Sequence, residues 1–515
     1  MATEDEESLL LMKESASNGE KDEGTFSVDD VLEKSCDGLY GKFQIIFQVG
    51  ILYLALSVDY YLVLSIFIGD DPAWKCSVDS LSINLTRDFC TLHPNVTVHP
   101  DSMDFGKRCL LGRERWDYVT PSSYSYVTEF DLTCDQKYLA ALSASALYMG
   151  GCFGIFTASL MDIFGRKTII WLSMFMINVL TVGCFFVTNI WQLIYLRIAL
   201  GCFVFTVYNG LMVWLLEFLP ARSRSLAMCL LTCAFATSSL LLNLVAYQER
   251  NWRQLSLYMC IPAIISLFVF IPMPKSPRWL AGKNRTREAV DMLNSIRKCN
   301  GMYEMEIVLE KEENSSLKNY TYLDIVKNRK FVCMSLYFAA MYFTLSFIYY
   351  EIALEGNYYG GSIYITFLFT ALADIPGYLL ALCLCDKIGR KYAQIAGLFL
   401  AALSLGLVGV IPPAYSHAYA VRLSLAIFSK IFVNLAYNAS FLWVLESYPT
   451  VLRSQGYGIC VFFDRLGPVC VPLLSKYLNT VNSTLIYVII GVLGVFLTLF
   501  GLSRTDTKDK PMYDV

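Results

Sequence analysis

Charge is scarce in this sequence. Asp, Glu, Lys and Arg supply 17% of its 515 residues, while hydrophobic types supply 56%. A soluble globular chain carries about 25% charged residues. That balance excludes an ordinary soluble domain and points to a bilayer. A net charge of −3, with no dense basic tract, excludes nucleic acid as a partner. Histidine is scarcer still. His93, His99 and His417 are the three, and none stands beside a second ligand at metal spacing. HExxH, GxSxG and P-loop sequences are missing. No metal or other cofactor is expected, an enzyme is the least favoured class, and no ATP-driven machinery is encoded. A basic and then apolar leader is missing too. Residues 1–42 carry twelve acids, among them Glu4, Asp5, Glu6, Glu7, Asp29 and Asp30, where a cleavable signal needs the opposite charge. They read as a solvated, partly disordered cytosolic arm.

What is abundant is apolar length. A helix needs roughly 20 residues to cross a ~30 Å hydrocarbon core. Such stretches fall near 43–68, 138–160, 168–188, 191–216, 226–248 and 255–273. A second set falls near 331–353, 362–385, 391–411, 419–445, 455–477 and 484–503. The expected organisation is a six-helix half over 43–273, a polar central loop over 274–330, a second half over 331–503 and a tail over 504–515. Helical stretches such as Arg287 to Lys298 place the central loop against the cytoplasmic face. Short loops on one side hold Arg166, Lys167, Arg222, Arg224, Lys387, Arg390, Lys391 and Arg453. Positive charge marks the cytoplasmic side, so both termini are read as inside. Arg250, Arg253 and Lys476 are exceptions on the other side. Within the arm, Asp5 to Leu11 has the pattern of an acidic dileucine sorting signal. That keeps an endosomal or lysosomal membrane open beside the plasma membrane.

Segment 69–137 is then a large outside loop. It holds Cys76, Cys90, Cys109 and Cys134, an even number in an oxidising compartment, so two disulfides are expected with three connectivities open. Asn84 and Asn95 lie in glycosylation sequons of this loop, and Asn482 lies in one between the last two spans. The remaining cysteines read as small packing residues.

Two motifs occur twice at nearly the same offset. Asp162-Ile-Phe-Gly165-Arg166-Lys167 follows the second span, and Asp386-Lys-Ile-Gly389-Arg390-Lys391 follows the eighth. Glu217-x-x-Pro220-x-x-x-Arg224 ends the fourth, and Glu446-x-x-Pro449-x-x-x-Arg453 ends the tenth. Asn209 and Asn438 stand at matching distances before the two glutamates. Matched marks mean two structurally similar halves. Gly165 and Gly389 permit tight turns between antiparallel helices. The acids and arginines collect at one face, where ion pairs between helices would hold an inner gate shut and their rupture would let the halves rock.

These residues resemble the organic cation, anion and zwitterion transporter family of the major facilitator superfamily. The long cysteine-bearing loop ends in Val127-Thr-Glu129-Phe-Asp-Leu-Thr-Cys134, close to that family's stretch before the second span. Pro274-Lys-Ser-Pro277-Arg278-Trp279-Leu280 resembles its P-E-S-P-R-W-L, with Lys275 in place of Glu. Glu446-Ser-Tyr-Pro449-Thr-Val-Leu-Arg453 resembles its E-L-Y-P-T-x-x-R. Sugar porters share the loop motifs but usually lack the long first loop. Ala158 departs from the glycine expected four residues before Asp162. The resemblance implies an all-α membrane protein with the major facilitator fold, twelve transmembrane helices arranged as two six-helix halves. It implies alternating access for a small organic ion in the lipid bilayer, with a coupling ion or an exchanged counter-substrate left open.

Ionisable groups at membrane depth are expensive and usually paired or functional. Asp59, Arg197, Asp374, Lys430, Asp464 and Arg465 fall within spans, and Glu351 lies near the outer end of the seventh. Lys430, Asn434, Tyr437, Asn438 and Phe441 share one helical face, which should look into a cavity. The matching face of the fourth span is Gly201, Phe205, Tyr208, Asn209 and Met212. In the resembled family an arginine at the position of Arg465, before Leu466-Gly467, accompanies anion and carnitine-type members. Its planar fork matches a carboxylate. Asp464 is about 100° round the helix and so need not cancel that charge. Tyr349 and Tyr350 match a tyrosine pair of anion-transporting members, and Tyr437 an aromatic pocket position. Tyr378 stands where some anion exchangers carry Lys and carnitine-type members a similar tyrosine. Asp374 and Lys430 are either a structural pair or part of the site. Asp59 either meets a substrate ammonium or faces a wet vestibule. The expectation is a carrier of small organic anions or zwitterions, carnitine-like or betaine-like. An organic cation carrier using Asp59, Asp374 and Glu351 is the alternative, and a non-transporting receptor or scaffold is a third.

Overall fold

The computed structural model describes residues 25–36, 38–77, 89–92, 96–100, 102, 104–305, 307–309, 322–354, 356–359, 361–411, 417–448, 453–478 and 484–504. For residues 25, 91–92, 155–159, 221, 322–324, 357–358, 386, 453–454 and 476–478 it describes the backbone alone. Among the described residues, eleven helices are long and apolar enough to cross a bilayer, from Lys42–Ile68 to Leu485–Leu502. The twelfth crossing is the second in chain order. It is split into Lys137–Cys152 and Gly154–Phe164, which meet at Phe153. Two other spans are also interrupted. The first leaves the α-helix after Leu56, makes a tight turn over Asp59–Leu62 and resumes at Ser65–Ile68. The eighth breaks at Ala373 between Ile363–Leu372 and Asp374–Ile388. Irregular backbone at membrane depth is tolerated where protein covers it or where it lines a cavity.

The two repeated turns have the same geometry. Gly165 sits at φ 92° and Gly389 at φ 93°, a region that side chains with a Cβ rarely adopt. Small residues also set helix spacing. The second and fourth spans press their backbones together at Gly150 and Gly201, where a Cβ would collide with the facing main chain.

The halves meet along the second and eleventh spans, where Ser145 Oγ donates to the Val469 carbonyl at 2.7 Å. They meet again along the fifth and eighth. Asn243 Nδ2 donates to the Tyr364 carbonyl at 3.1 Å. Phe67 packs on Tyr364 and Phe367, with centroids 5.7 and 5.2 Å apart. Phe67, Asn243 and Tyr364 all lie toward the end read as extracellular, so that end is closed.

At that end, strand Trp74–Cys76 pairs antiparallel with Thr97–Val98 and with Trp116–Tyr118. Trp74 and Trp116 are buried in a small core of their own. This sheet escapes notice in the sequence because its strands are two or three residues long. The sulfurs of Cys76 and Cys90 lie 2.04 Å apart, and those of Cys109 and Cys134 lie 2.11 Å apart. Asn84, Asn95 and Asn482 lie outside the described residues.

One expectation is corrected. The acidic arm is not wholly solvated: Thr25–Phe26 pairs parallel with Val308–Leu309, and Val28–Lys34 is a helix. Ser27 and Asp30 form a reciprocal cap at its start. Val31 and Leu32 are fully buried, and Asn300 Nδ2 donates to the Ser35 carbonyl at 2.5 Å. The acids dominate the composition, but two adjacent apolar residues and a good cap suffice to dock one short helix. Helix Thr286–Cys299 of the central loop buries Ala289, Leu293 and Ile296.

Candidate functional site

Between the halves lies a cavity of about 550 Å³, within the 300–1,000 Å³ usual for small-molecule sites. Its wall runs from Asp59, Tyr208, Asn209, Tyr349, Tyr350, Tyr378, Tyr437, Asn438, Asp464 and Arg465 to Leu216, Arg224, Leu445 and Glu446. The last four lie at the end carrying the repeated basic turns. The cavity therefore extends toward the end read as cytoplasmic, while the opposite end is packed.

Arg465 is 7% exposed and lies on the eleventh span, a helix running Arg453–Leu478. Its guanidinium stacks on Phe205 at 4.2 Å and stands 5.7 Å from the Tyr208 ring. Helical geometry left open whether Asp464 meets this charge, and in the structure it does. Arg465 Nη1 is 3.1 Å from Asp464 Oδ2. Adjacent Cα positions diverge by about 100°, but two long side chains can bend back and meet. Tyr437 donates its hydroxyl to the other Asp464 oxygen. The buried Arg465 Nε has no hydrogen-bond partner among the described residues.

Asp374 and Lys430 do not line the cavity; they sit behind its wall, 1% and 3% exposed. Asp374 accepts from Asn434 Nδ2 at 2.7 Å and from the Tyr349 hydroxyl at 3.2 Å, with Lys430 Nζ 3.7 Å away. The Lys430 ammonium also lies 3.5 Å from the centre of the Tyr349 ring. Every group in this cluster is bonded to another. Its effect on the cavity is indirect: it fixes Tyr349 and Asn434, which do line it. Asn438 Nδ2 bonds to its own helix at the Asn434 carbonyl, 2.9 Å away. Glu351 bonds to Ser475 Oγ at 3.1 Å and lies off the cavity wall.

The ion pairs named here at the basic turns lie within each half. Arg166 bridges Glu217 at 2.8 Å and Asp162 at 2.9 Å, all in the first half. Arg390 reaches Glu446 at 3.2 Å, both in the second. Lys167 Nζ donates to the Ile271 carbonyl at 2.9 Å, and Lys391 Nζ to that of Leu502 at 2.9 Å. Arg224 pairs with Asp29 at 2.6 Å, and Arg278 reaches the same carboxylate oxygen. Ion pairs between helices are thus found at this face, and those named here tie helices within each half. The side chains of Asp386 and Arg453 lie outside the described residues. Glu217 is buried at this end, and burial pushes its carboxyl above the usual range, while Arg166 opposes the shift.

Sequence reasoning missed Tyr342 and Tyr457, both on the cavity wall. Tyr342 is seven residues before Tyr349, and Tyr457 seven before Asp464, so helical periodicity was the available signal. It also missed Asp29, whose partners come from distant segments that no local spacing reveals.

A family model described as "Sugar (and other) transporter" matches residues 104–512. Mouse solute carrier family 22 member 21 is 28% identical over 461 residues, covering 86% of this chain and 80% of that protein. Rat organic cation/carnitine transporter 2 is 28% identical over 416 residues, covering 79% and 73%. Solute carrier family 22 member 6-A of Xenopus laevis is 28% identical over 413 residues, covering 78% and 73%. Among solved structures, a D-xylose–proton symporter superposes with a TM-score of 0.60 at 17% identity, covering 92% of this chain and 100% of its own. The major facilitator superfamily proton:xylose symporter XylE superposes with a TM-score of 0.59 at 17% identity, covering 91% and 97%.

Proposed function

The chain belongs to the sugar (and other) transporter family and is a multi-pass membrane transporter with the major facilitator fold, and on that premise we propose that it carries small organic anions or zwitterions by alternating access. Like its relatives it is a secondary transporter of organic ions and not an enzyme. The observation that carries the finer reading is Arg465: a buried guanidinium on the cavity wall, ring-stacked, with its Nε unmet. A carboxylate satisfies those donors with two parallel hydrogen bonds. Tyr349, Tyr350, Tyr378 and Tyr437 supply flat apolar walls with hydroxyl tips, which suit varied organic ions. Asn209 and Asn438 add polar contacts on opposite halves. A cavity reaching toward one end while the other is packed supports an access mechanism in which the halves rock about the substrate. The plasma membrane, inward termini, a disulfide-bonded and glycosylated outside loop, and a coupling ion or counter-substrate belong to the same proposal.

A second reading, an organic cation carrier, is favoured by Asp464, which stands 3.1 Å from Arg465 and offsets its charge. The deciding experiment is surface-normalised uptake of matched anionic, zwitterionic and cationic small molecules by expressing cells. Saturable uptake of carboxylate-bearing probes is expected. Uptake confined to cations would replace the proposal by the second reading.

A further inference from the structure

Three carboxylates line the cavity. Glu446 pairs with Arg390 and Asp464 with Arg465. Asp59 has no ion pair and no side-chain hydrogen bond among the described residues. It is 3% exposed, yet it is part of the cavity wall. The span that carries it unwinds there, so Asp59 opens the turn Asp59–Leu62. A lone buried carboxylate at membrane depth is costly unless something meets its charge. No cation among the described residues does so, and the side chain lines the space a substrate would fill.

Its surroundings fit an ammonium. Tyr208 and Tyr378 line the same cavity as Asp59, and Arg465 stands 5.7 Å from the Tyr208 ring. Aromatic rings and a carboxylate on one cavity wall make a good seat for an organic cation. We infer that Asp59 seats the ammonium group of the substrate, so that the cargo is a dipolar ion held between Asp59 on the first half and Arg465 on the second. The inference rests on the reading of Arg465 given above and adds a second pole to it. A cargo with both charges bridges the halves, whereas a plain monoanion would leave Asp59 uncompensated.

The test uses the full chain in expressing cells, with three matched probes. They are γ-trimethylammoniobutyrate, the carboxylate in which a tert-butyl group replaces the trimethylammonium, and butyltrimethylammonium. Uptake is normalised to surface protein. Wild-type protein should prefer the dipolar ion to the tert-butyl carboxylate. Asp59→Asn should raise the half-saturation concentration for the dipolar ion by about 30-fold or more, the usual loss when one partner of a buried charged contact goes. It should not weaken uptake of the tert-butyl carboxylate, whose apolar end no longer faces an uncompensated charge, and that retained uptake also shows that the variant folds. Asp59→Glu keeps the charge and should keep the preference. An Asp59→Asn variant that alters both carboxylates equally, or neither, overturns the inference. Asp59-dependent uptake of butyltrimethylammonium with no uptake of either carboxylate would sink the Arg465 reading while supporting the ammonium seat.

Discussion

Removing Arg465 perturbs two things at once, and the structure says how to separate them. The guanidinium stands 3.1 Å from Asp464, and both residues are 7% exposed. At an effective dielectric of about 20, opposite charges at that distance attract by about 5 kcal/mol before desolvation is counted. Breaking such a pair from one side typically costs about 3–5 kcal/mol, because a buried charge is left behind. That is a large part of the ~5–15 kcal/mol that holds a folded chain together. Arg465→Ala alone should therefore reach the cell surface poorly. The double variant Arg465→Ala with Asp464→Asn removes the orphaned charge and should recover expression. With folding restored, the loss of a substrate contact is exposed: about 2–5 kcal/mol, or at least about 30-fold in affinity for a carboxylate at ~1.4 kcal/mol per tenfold. Arg465→Lys should recover part of it, since a point charge lacks the fork. The assay is surface biotinylation followed by initial-rate uptake across a concentration series. A well-expressed double variant with the wild-type half-saturation for a carboxylate would refute the anion-site reasoning.

Arg390→Ala or Glu446→Gln should lower turnover more than affinity, because the 3.2 Å pair holds helix ends together and does not reach the depth of the cavity. The pair is partly exposed, so the expected shift is about 1 kcal/mol; weakened binding at normal turnover would count against it. Burial raises the Glu217 carboxyl, so its burial cost is present above that raised value and is relieved as pH falls through it. Turnover should therefore show an acid limb that Glu217→Gln abolishes, measured as uptake against cytosolic pH; a limb that persists in the variant refutes the assignment. Glycosidase treatment should shift the gel band of the wild-type protein, and Asn84→Gln with Asn95→Gln should reduce that shift; an unchanged shift would mean that segment 69–137 is not a glycosylated loop.

Much of this was open to reading along the chain. Apolar runs of membrane-spanning length announce themselves because the bilayer leaves a helix no other way to satisfy its backbone. The duplicated turns are equally local: Gly165 and Gly389 need positive φ, and that need is written into single positions. The tyrosines at 349, 350, 378 and 437 were legible through helical period and family resemblance, and all reach the cavity wall. Partnerships were not legible. Lys430 and Asp374 share a depth with Arg465, yet they satisfy each other behind the wall, whereas Arg465 faces the cavity. Asp59 looks no different in sequence from Asp374, but one is bonded by three groups and the other by none among the described residues. Which buried charge is neutralised depends on angstrom-scale approach between side chains from segments far apart in the chain, and Coulomb energy falls with distance in space and not in sequence. The sequence by itself determined the spans, the twofold plan and the chemical alphabet of the site; the tertiary structure decided which of those charges a substrate can still meet.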